Sequence, residues 1–393
     1  MAERACMSTS PAVRSIPCRH DRHYDIITCV EAFDLRNKSL ACMGASDRRL
    51  VVIDKNIMAQ ADRIHSYFAH HNITADIFPI EAGEGNKSLE GLTRVLERFD
   101  AFSLCRREEP VIAVGGGVLT DLVGFAAAIY RRGVPHIKIP TTLMGYIDAA
   151  IGIKCGVNFN DGKNRLGAFE PPLAVFLDPS FLKTLPQRHI LNGLAEIIKL
   201  AIVCDDRLFL HLEKDGMNSA RNKFQDSAGL SILDNAIDAM LSELSPNLYE
   251  NNLARAADFG HTFSLAYEMA VDSRLLHGEA VLIDIILSTF LARNRGCLTT
   301  RDAERILALI NSFSYVLSPL PLISEGEIWE SLCERACHRG GRQHLPLPCG
   351  IGRHIFTEDV TPKDIGTTII EANDWISRHI KFEAQRESLR KAG

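Results

Sequence analysis

The sequence predicts an α/β protein, in which an N-terminal domain with a parallel, Rossmann-like sheet precedes an all-helical C-terminal domain. Two observations support this: strands and helices alternate in the first half, and helices dominate from Pro186 onward. A chain of 393 residues also has the usual length of two domains. We therefore expect a domain boundary near residues 184–186.

The first half supplies the predicted strands. Residues 48–54 form an apolar run that ends in Asp54 and is typical of a buried strand. Further strands are predicted at 75–80, 110–114 and 136–139, with helices at 59–71, 88–104 and 118–131. This alternation favours a parallel sheet, because parallel neighbours need crossover connections.

The second half is predicted to be helical. Apolar residues recur at helical spacing in segments 190–203, 231–242, 261–269, 278–294, 300–309, 325–335 and 367–380. The predicted organisation is a flexible arm at 1–22, an α/β domain at 23–185, a helical domain at 186–382 and a flexible tail at 383–393.

Composition restricts the class of protein. Charged residues make up 24% of the chain, apolar residues 46%, and the net charge is −5. There is no long basic block, so nucleic acid is not an expected partner. No apolar run is long enough for a signal peptide or a membrane span, so no membrane is expected either. The 11 cysteines are scattered, which is typical of free thiols in the cytoplasm.

A glycine turn between a predicted strand and a helix is a candidate nucleotide site. Gly115, Gly116 and Gly117 let the backbone approach a phosphate, and the helix start offers free N–H groups. Asp54 ends another strand, where a carboxylate can accept hydrogen bonds from ribose hydroxyls. The pattern is not GxGxxG, so a tight structural turn remains the alternative.

Three ordered runs of residues carry a resemblance to a known family. They are GGGVLTDLVGFAAAIYRRG, IPTTLMGYIDAAIGIKCGVNFNDGKNRLGAF and GLAEIIK. With gaps, from about residue 24 to residue 380, the chain resembles the sugar phosphate cyclases of the dehydroquinate-synthase superfamily. Each run alone is modest, but together their order and spacing are highly specific.

The resemblance implies that NAD is the cofactor. Some implied contacts also have a local reason, since Asp121 lies in the first turn after the glycines and Lys87 lies on a turn that opens a helix. The predicted cofactor-binding residues are Asp54, Glu84, Lys87, Gly115, Gly116, Gly117, Asp121, Thr141, Thr142, Asp148, Lys154, Lys163, Asp178, Phe181 and Thr184.

One carboxylate and two imidazoles in the helical half form a candidate metal site. Glu196, His261 and His277 suit a divalent ion, and both histidines are expected at helix starts. From the residues alone, Glu196 could instead pair with Lys199 on a helix surface, and each histidine could cap a helix or fill the core. In the resembling family the matching positions hold the catalytic metal, which implies a Zn²⁺ or Co²⁺ site.

A sugar phosphate substrate needs cations and carboxamides at fixed places, because it carries about two negative charges and many hydroxyls. For any one basic residue a solvated surface is the alternative, and the Asn- and Gly-rich run around Lys163 is typical of a loop. The resemblance implies that the catalytic and substrate-binding residues are Arg132, Asp148, Lys154, Lys163, Asn164, Lys199, Arg255 and Asp258.

The implied activity is that of a phosphate-eliminating carbon–oxygen lyase which closes a carbocycle. Bound NAD would oxidise a ring hydroxyl, phosphate would leave by elimination, and NADH would return the hydride. Ring opening and an intramolecular aldol step would then close the new ring. The metal would act as a Lewis acid on substrate oxygens, and no net redox change would occur.

The residues around the metal motif favour one branch of the superfamily. Dehydroquinate synthases usually have a second histidine where this chain has Leu265, and an asparagine where it has Asp258. The runs PNLYENNLARAADFGHTFS and GIKCGVNFNDGKNRLG are instead similar to the 2-epi-5-epi-valiolone synthases, which act on sedoheptulose 7-phosphate. Two departures bear on the product: Leu265 replaces an expected proline, and Cys155 replaces a usual threonine.

Other activities remain open. Desmethyl-4-deoxygadusol synthase or 2-epi-valiolone synthase would use the same substrate, whereas 3-dehydroquinate synthase would use another sugar phosphate. A metal-dependent alcohol or glycerol dehydrogenase has a similar glycine turn and helical domain, but would release NADH. A pseudoenzyme would have lost ligands that this chain retains. The resemblance also implies a homodimer.

Overall fold

The computed structural model describes residues 22–81, 83–160, 162–270, 274–317, 324–337 and 339–382. The predicted flexible arm, apart from Arg22, and the predicted tail lie outside the described residues. Within these stretches every helix is too short or too polar to cross a membrane. The cysteines that they contain are free thiols, as their spacing predicted.

The strands are numbered in chain order. They are β1 Asp25–Thr28, β2 Arg48–Asp54, β3 Thr74–Ile80, β4 Val111–Gly115, β5 His136–Pro140, β6 Lys154–Phe159, β7 Gly162–Phe169, β8 Ala174–Leu177, β9 Val316–Leu317, β10 Leu345–Gly350, β11 Arg353–Thr357 and β12 Lys381–Phe382.

The α-helices follow the same convention. They are α1 Ala61–His70, α2 Leu89–Ala101, α3 Gly117–Ile129, α4 Gln187–Val203, α5 Asp206–His211, α6 Met217–Arg221, α7 Ser227–Leu244, α8 Ser264–Met269, α9 His277–Asn294, α10 Thr300–Ser312, α11 Glu325–Cys337 and α12 Pro362–His379.

A six-stranded parallel sheet organises the first half and confirms the predicted α/β class. Its order is β1-β8-β5-β4-β2-β3. The four predicted strands are all present. Strands β1 and β8 were not predicted, because each has only four residues and too short a pattern to stand out.

Alternate residues of the buried strands face two separate hydrophobic layers. Leu50 and Val52 of β2 pack with side chains of α2 and α3, whereas Val51 and Ile53 pack with side chains of α1 on the other face. Ser88 accepts a hydrogen bond from the Gly91 N–H and so caps the start of α2. The sheet is therefore covered on both faces, as a parallel sheet requires.

An antiparallel hairpin, β6–β7, lies between sheet strands β5 and β8 and was not predicted. The run around Lys163 was predicted as a loop, and that prediction is wrong because these residues lie in strand β7, which pairs with β6. Gly156 and Gly167 face each other across the hairpin: a Cβ on either would lie 2.4 Å from a backbone carbonyl oxygen of the opposite strand. Glycine there allows close pairing, although it weakens the strand signal in the sequence.

The second half is helical, as predicted, with α9 at its centre. Side chains all around α9 are buried from Gly278 to Ala292, because this helix is apolar on every face. The prediction of an all-helical domain did not include two small β elements that the structure shows. They are the hairpin β10–β11 and the pair β9–β12.

The helical core continues into the sheet domain. Val175 and Leu177 of β8, and Tyr146 and Ile147 in the segment after β5, belong to the same hydrophobic cluster as α4, α7 and α9. This packing brings α4 and α7 next to the segment that follows the sheet strand β5. The positions of the two domain boundaries remain predictions.

Candidate active site

The carboxyl edge of the sheet carries the glycine turn. Gly115 ends β4 and Gly117 begins α3. A Cβ on Gly116 would lie 3.0 Å from Thr142 Cγ2, so the turn has little room for a side chain. The Thr141 N–H donates to the Gly115 carbonyl at 2.9 Å and ties the neighbouring strand ends together. The first turn of α3 starts at this edge, and its N–H groups can bind a phosphate.

Lys87, Asp121 and Asn164 form one hydrogen-bonded cluster. The Lys87 ammonium donates to Asp121 Oδ2 and to Asn164 Oδ1, each at 2.6 Å. Burial raises the pKa of the Asp121 carboxyl, although Lys87 opposes this shift. Glu84 accepts a hydrogen bond at 2.8 Å from the side chain of Asn158, a neighbour on β6. The structure therefore brings several of the predicted cofactor residues together.

Other predicted cofactor residues make structural contacts. The Asp54 carboxylate accepts one backbone N–H at 2.9 Å, and that of Asp178 accepts two, at 2.7 and 2.9 Å. These bonds hold the turns that follow β2 and β8. Phe181 packs edge-on against Phe33 in the core, and the Thr184 hydroxyl lies 3.5 Å from the Phe181 carbonyl. A role for these residues in binding NAD remains a prediction.

The three predicted metal ligands converge from separate elements. Glu196 lies on α4, His261 lies in the turn before α8, and His277 is the first residue of α9. The Nε2 atoms of His261 and His277 lie 3.9 and 3.8 Å from Glu196 Oε1. The candidate ligand atoms all lie within 4.8 Å of one another, so one ion can reach all three residues.

The chemistry of this cluster fits a divalent cation. Glu196 is fully buried, and neither of its carboxylate oxygens accepts a hydrogen bond from any described group. Lys199 forms an ion pair with it. The Lys199 ammonium offsets part of the cost of burying this charge, and a metal ion beside Oε1, the oxygen that faces both histidines, would stabilise it further. One carboxylate and two imidazoles form a donor set that Zn²⁺ and related ions accept, with open positions for substrate oxygens.

Asp284 sets the position of the turn that carries His261. Its buried carboxylate binds the backbone N–H groups of Phe263 and Ser264, so α8 begins at Ser264. The prediction that a helix starts at His261 is therefore wrong. Because Asp284 lies two turns beyond His277 on α9, that helix positions both imidazoles.

The two histidines have different electrostatic environments. Burial and the nearby Lys199 ammonium lower the pKa of His261 well below its usual range, which favours the neutral ring that binds a metal. Burial also acts to lower the pKa of His277, but the Glu268 carboxylate raises it above its usual value. Glu268 Oε1 lies 2.9 Å from His277 Nδ1.

Three arginines surround the buried Asp258 beside the metal ligands. Arg255 and Arg339 form ion pairs with its carboxylate, and Arg335 Nη2 lies 3.3 Å from Asp258 Oδ2. Burial alone would raise the pKa of Asp258, but the three guanidinium groups lower it, so this residue stays ionised. The Asp258 carbonyl accepts the backbone N–H of His261 at 3.0 Å, which places the cluster next to the metal site.

Lys154 joins this arginine cluster to the sheet. Its ammonium lies 2.9 Å from Glu250 Oε1, and the same oxygen pairs with Arg255. Partial desolvation and the repulsion of the Arg255 guanidinium lower the pKa of Lys154. Asp148 opposes this shift. The Glu196 carboxylate has the opposite effect on Lys199, whose pKa it raises despite burial.

Arg132 lies away from this cluster. It follows the carboxyl end of α3, whereas the glycine turn precedes the other end of that helix. A helix of 13 residues is about 20 Å long. Arg132 also leads into the amino end of β5, at the opposite edge of the sheet. Within one chain, the structure does not bring Arg132 to the other predicted site residues.

Four charged residues of the site were not predicted: Glu250, Glu268, Arg335 and Arg339. Glu268 follows His261 by seven residues, but His261 lies before α8 begins, so this spacing is not a helical repeat. Arg335 and Arg339 are four residues apart near the end of α11. No feature of the sequence indicates that the end of α11 lies beside Asp258.

The family follows from two matches along the chain. The profile described as the 3-dehydroquinate synthase N-terminal domain matches residues 77–192, and the profile of the 3-dehydroquinate synthase C-terminal domain matches residues 193–330. Together they cover more than half of the chain and include the glycine turn and all three candidate metal ligands. The chain belongs to the dehydroquinate-synthase family.

Individual relatives point to one branch. The chain is 45% identical over 346 residues to a 2-epi-5-epi-valiolone synthase from Streptomyces albus, covering 86% of this chain and 84% of the relative. A demethyl-4-deoxygadusol synthase from Trichormus variabilis is 35% identical over 358 residues, covering 88% and 87%. ValA, a 2-epi-5-epi-valiolone synthase from Streptomyces hygroscopicus subsp. jinggangensis, has been solved with NAD⁺ and Zn²⁺ bound. Its sequence is 41% identical to that of this chain. The two structures match with a TM-score of 0.88, and the match covers 92% of this chain and 99% of ValA.

Proposed function

We propose that this protein cyclises sedoheptulose 7-phosphate to 2-epi-5-epi-valiolone with loss of phosphate, as an NAD- and metal-dependent lyase. The observation that carries the proposal is the convergence of Glu196, His261 and His277 beside a cation-rich cluster at the nucleotide edge of the sheet. Relatives that are 42–45% identical and bear the name 2-epi-5-epi-valiolone synthase support the choice of substrate and product.

The charges of the cluster suit a phosphate monoester. Arg255, Arg335, Arg339 and Lys154 supply four positive charges, while Asp258 and Glu250 supply two negative ones. The excess of two positive charges matches a phosphate dianion. The guanidinium groups are held by carboxylates on one side, so they are preorganised to bind an anion on the other side.

The chain's own residues also position the reacting sugar. Glu196, His261 and His277 would hold a Zn²⁺ or Co²⁺ ion at the sugar hydroxyls. When bound, the metal supplies Lewis acidity, and NAD accepts and returns a hydride. Lys199, charged and buried against Glu196, can donate a hydrogen bond to a substrate oxygen. Lys154, with its lowered pKa, can take part in proton transfer near Asp148.

The test is an incubation of the purified protein with sedoheptulose 7-phosphate, NAD and Zn²⁺ or Co²⁺. We expect stoichiometric phosphate release, a seven-carbon cyclitol identified by NMR, and no net NADH. A product with the demethyl-4-deoxygadusol skeleton would instead assign the protein to that branch, whose member is 35% identical. Phosphate release only from 3-deoxy-arabino-heptulosonate 7-phosphate would indicate dehydroquinate synthase, and steady NADH formation from simple alcohols would indicate a dehydrogenase.

We further propose that the protein is a homodimer in the cytoplasm, as the resemblance implies. The position of Arg132 supports a second copy, because this side chain lies at the far end of α3 from the site of its own chain. If it contacts substrate, another copy has to supply it. Sedimentation of the intact protein measures the oligomeric state directly.

A further inference from the structure

Glu268 makes two charged contacts with its two carboxylate oxygens. Oε1 lies 2.9 Å from Nδ1 of the metal-ligand candidate His277, and Oε2 accepts a hydrogen bond from the Lys163 ammonium. The Glu268 side chain is only 5% exposed, so these two contacts replace most of its hydration. A buried carboxylate with both oxygens in use is held in one orientation.

The contact with His277 determines which ring nitrogen faces the metal site. When Nδ1–H donates to Glu268, the Nε2 lone pair is free on the side of Glu196, whose Oε1 lies 3.8 Å away. His261 has an equivalent arrangement, since its Nδ1 lies 3.2 Å from the Phe259 carbonyl. Glu268 therefore orients the ring of His277 through Nδ1, as the Phe259 carbonyl orients the ring of His261.

The contact with Lys163 connects the metal site to the β6–β7 hairpin. Lys163 lies on β7, and the next residue, Asn164, accepts a hydrogen bond from Lys87. Lys163 and Glu268 are 105 residues apart, and they join the sheet domain to α8. A continuous chain of contacts thus runs from Lys87, beside the glycine turn, to His277.

We infer that Glu268 is a positioning residue with two roles: it orients His277 for the metal, and it holds the β6–β7 hairpin against α8 through Lys163. The inference rests on the metal centre of the proposed function, but not on the identity of the substrate. It follows that a change at Glu268 alters metal binding even when NAD and substrate are absent.

The test is a titration of the metal-free protein with Co²⁺, followed by visible absorption. For Glu268→Ala we expect about 10–100-fold weaker Co²⁺ binding and an altered spectrum, because His277 loses its orienting partner. Glu268→Gln keeps an oxygen for Nδ1–H, so binding should recover most of that loss. Lys163→Met leaves the contact with His277 and should retain nearly normal Co²⁺ binding.

The second role has a separate readout. In hydrogen exchange of the metal-free protein, Lys163→Met and Glu268→Gln should both speed exchange of the hairpin amides at residues 154–169. The matched control is Glu109→Gln: Glu109 is about as buried as Glu268, but it pairs with Arg48 near the amino end of β4, away from the metal-ligand candidates. It should leave both the cobalt spectrum and the hairpin exchange unchanged.

Several results would overturn the inference. Wild-type Co²⁺ affinity and spectrum in Glu268→Ala would exclude the role at His277, and unchanged hairpin exchange in Lys163→Met would exclude the role at the hairpin. Equal weakening in Glu109→Gln would reduce the effect to a general loss of stability. If Glu268→Ala does not fold, Glu268→Met takes its place in the cobalt titration, because it keeps the side-chain volume but offers no oxygen to Nδ1–H of His277. Failure of the wild-type protein to bind Co²⁺ would instead refute the metal centre itself.

Discussion

At the scale of single residues, Lys154 is accessible and yet strongly influenced by its neighbours. Its side chain is 60% exposed, but its ammonium lies 2.9 Å from Glu250 Oε1 and within the field of Arg255. A lysine with a lowered pKa in a charged cluster is a candidate for proton transfer, since it releases its proton more readily than an ordinary lysine.

Lys154→Ala is therefore expected to lower the rate of phosphate release from sedoheptulose 7-phosphate by about 10²–10⁴-fold. The fold should persist, because so exposed a side chain contributes little to packing. Activity and melting temperature should be measured together. The matched control is Lys183→Ala, since Lys183 is a half-exposed lysine that pairs with Glu31 outside the cluster. A wild-type rate in Lys154→Ala would exclude its role.

Leu265 is one of the two residues at which the sequence departs from the pattern expected from the family resemblance. It lies on α8 three residues before Glu268, so both side chains project from one face of the helix, and it is 41% exposed. Leu265→His should not create 3-dehydroquinate synthase activity, because Asp258 and its three arginines remain unchanged. The assay is phosphate release from 3-deoxy-arabino-heptulosonate 7-phosphate. Activity in this variant would mean that position 265 alone selects the branch.

The three metal-ligand candidates illustrate what residue patterns can predict. Each lies in a short motif that local spacing makes recognisable, and the structure brings all three together. Arg335 and Arg339 belong to the same site without any such motif. They reach Asp258 only because α11 packs near α8, which is a consequence of tertiary packing.

At the scale of elements, the distance between α4 and α9 controls the metal site, because one helix carries Glu196 and the other His277. A Cβ on Gly278 would lie 1.9 Å from the Asn192 carbonyl oxygen on α4. The Gly278 N–H also donates to Asn192 Oδ1 at 2.7 Å. The two helices therefore approach closely at the residue next to a ligand.

Gly278→Ala is expected to push α9 away from α4, destabilise the fold by about 1–3 kcal/mol and weaken metal binding. Denaturant unfolding and Zn²⁺ titration measure the two effects. Gly326→Ala is the matched control, since Gly326 lies in helix α11 with space around it. It should be neutral or stabilising through helix propensity. Normal metal affinity in Gly278→Ala would show that the spacing of the helices is not critical.

The elements that the sequence predicted are those with a strong local period. The amphipathic helices α1 and α2 and the buried strands β2 and β4 appear within a few residues of their predicted bounds. The part of the β6–β7 hairpin around Lys163 was mistaken for a loop, because its glycines and asparagines also suit turns. Its strands are stabilised by pairing and by contact with α3, which a local pattern does not report.

At the scale of the whole molecule, the position of Arg132 bears on whether two copies of the chain share a site. This residue and the glycine turn lie at opposite ends of α3 and opposite edges of the sheet. Arg132 also has a left-handed backbone conformation, with φ of 64°, in an exposed turn. Such strain in a residue other than glycine is often retained where the side chain has a function.

Mixed dimers decide the question. If Arg132 acts across a dimer, Arg132→Ala and His277→Ala are each inactive, but their hybrid contains one site with both defects and one intact site. When the two variants are mixed in equal amounts and their subunits exchange at random, about a quarter of wild-type activity should return. Lys154→Ala mixed with His277→Ala should restore none, because Lys154 and His277 belong to the site of the same chain. No recovery in the first mixture, or full activity of Arg132→Ala alone, would show that Arg132 does not act on the site of a second copy.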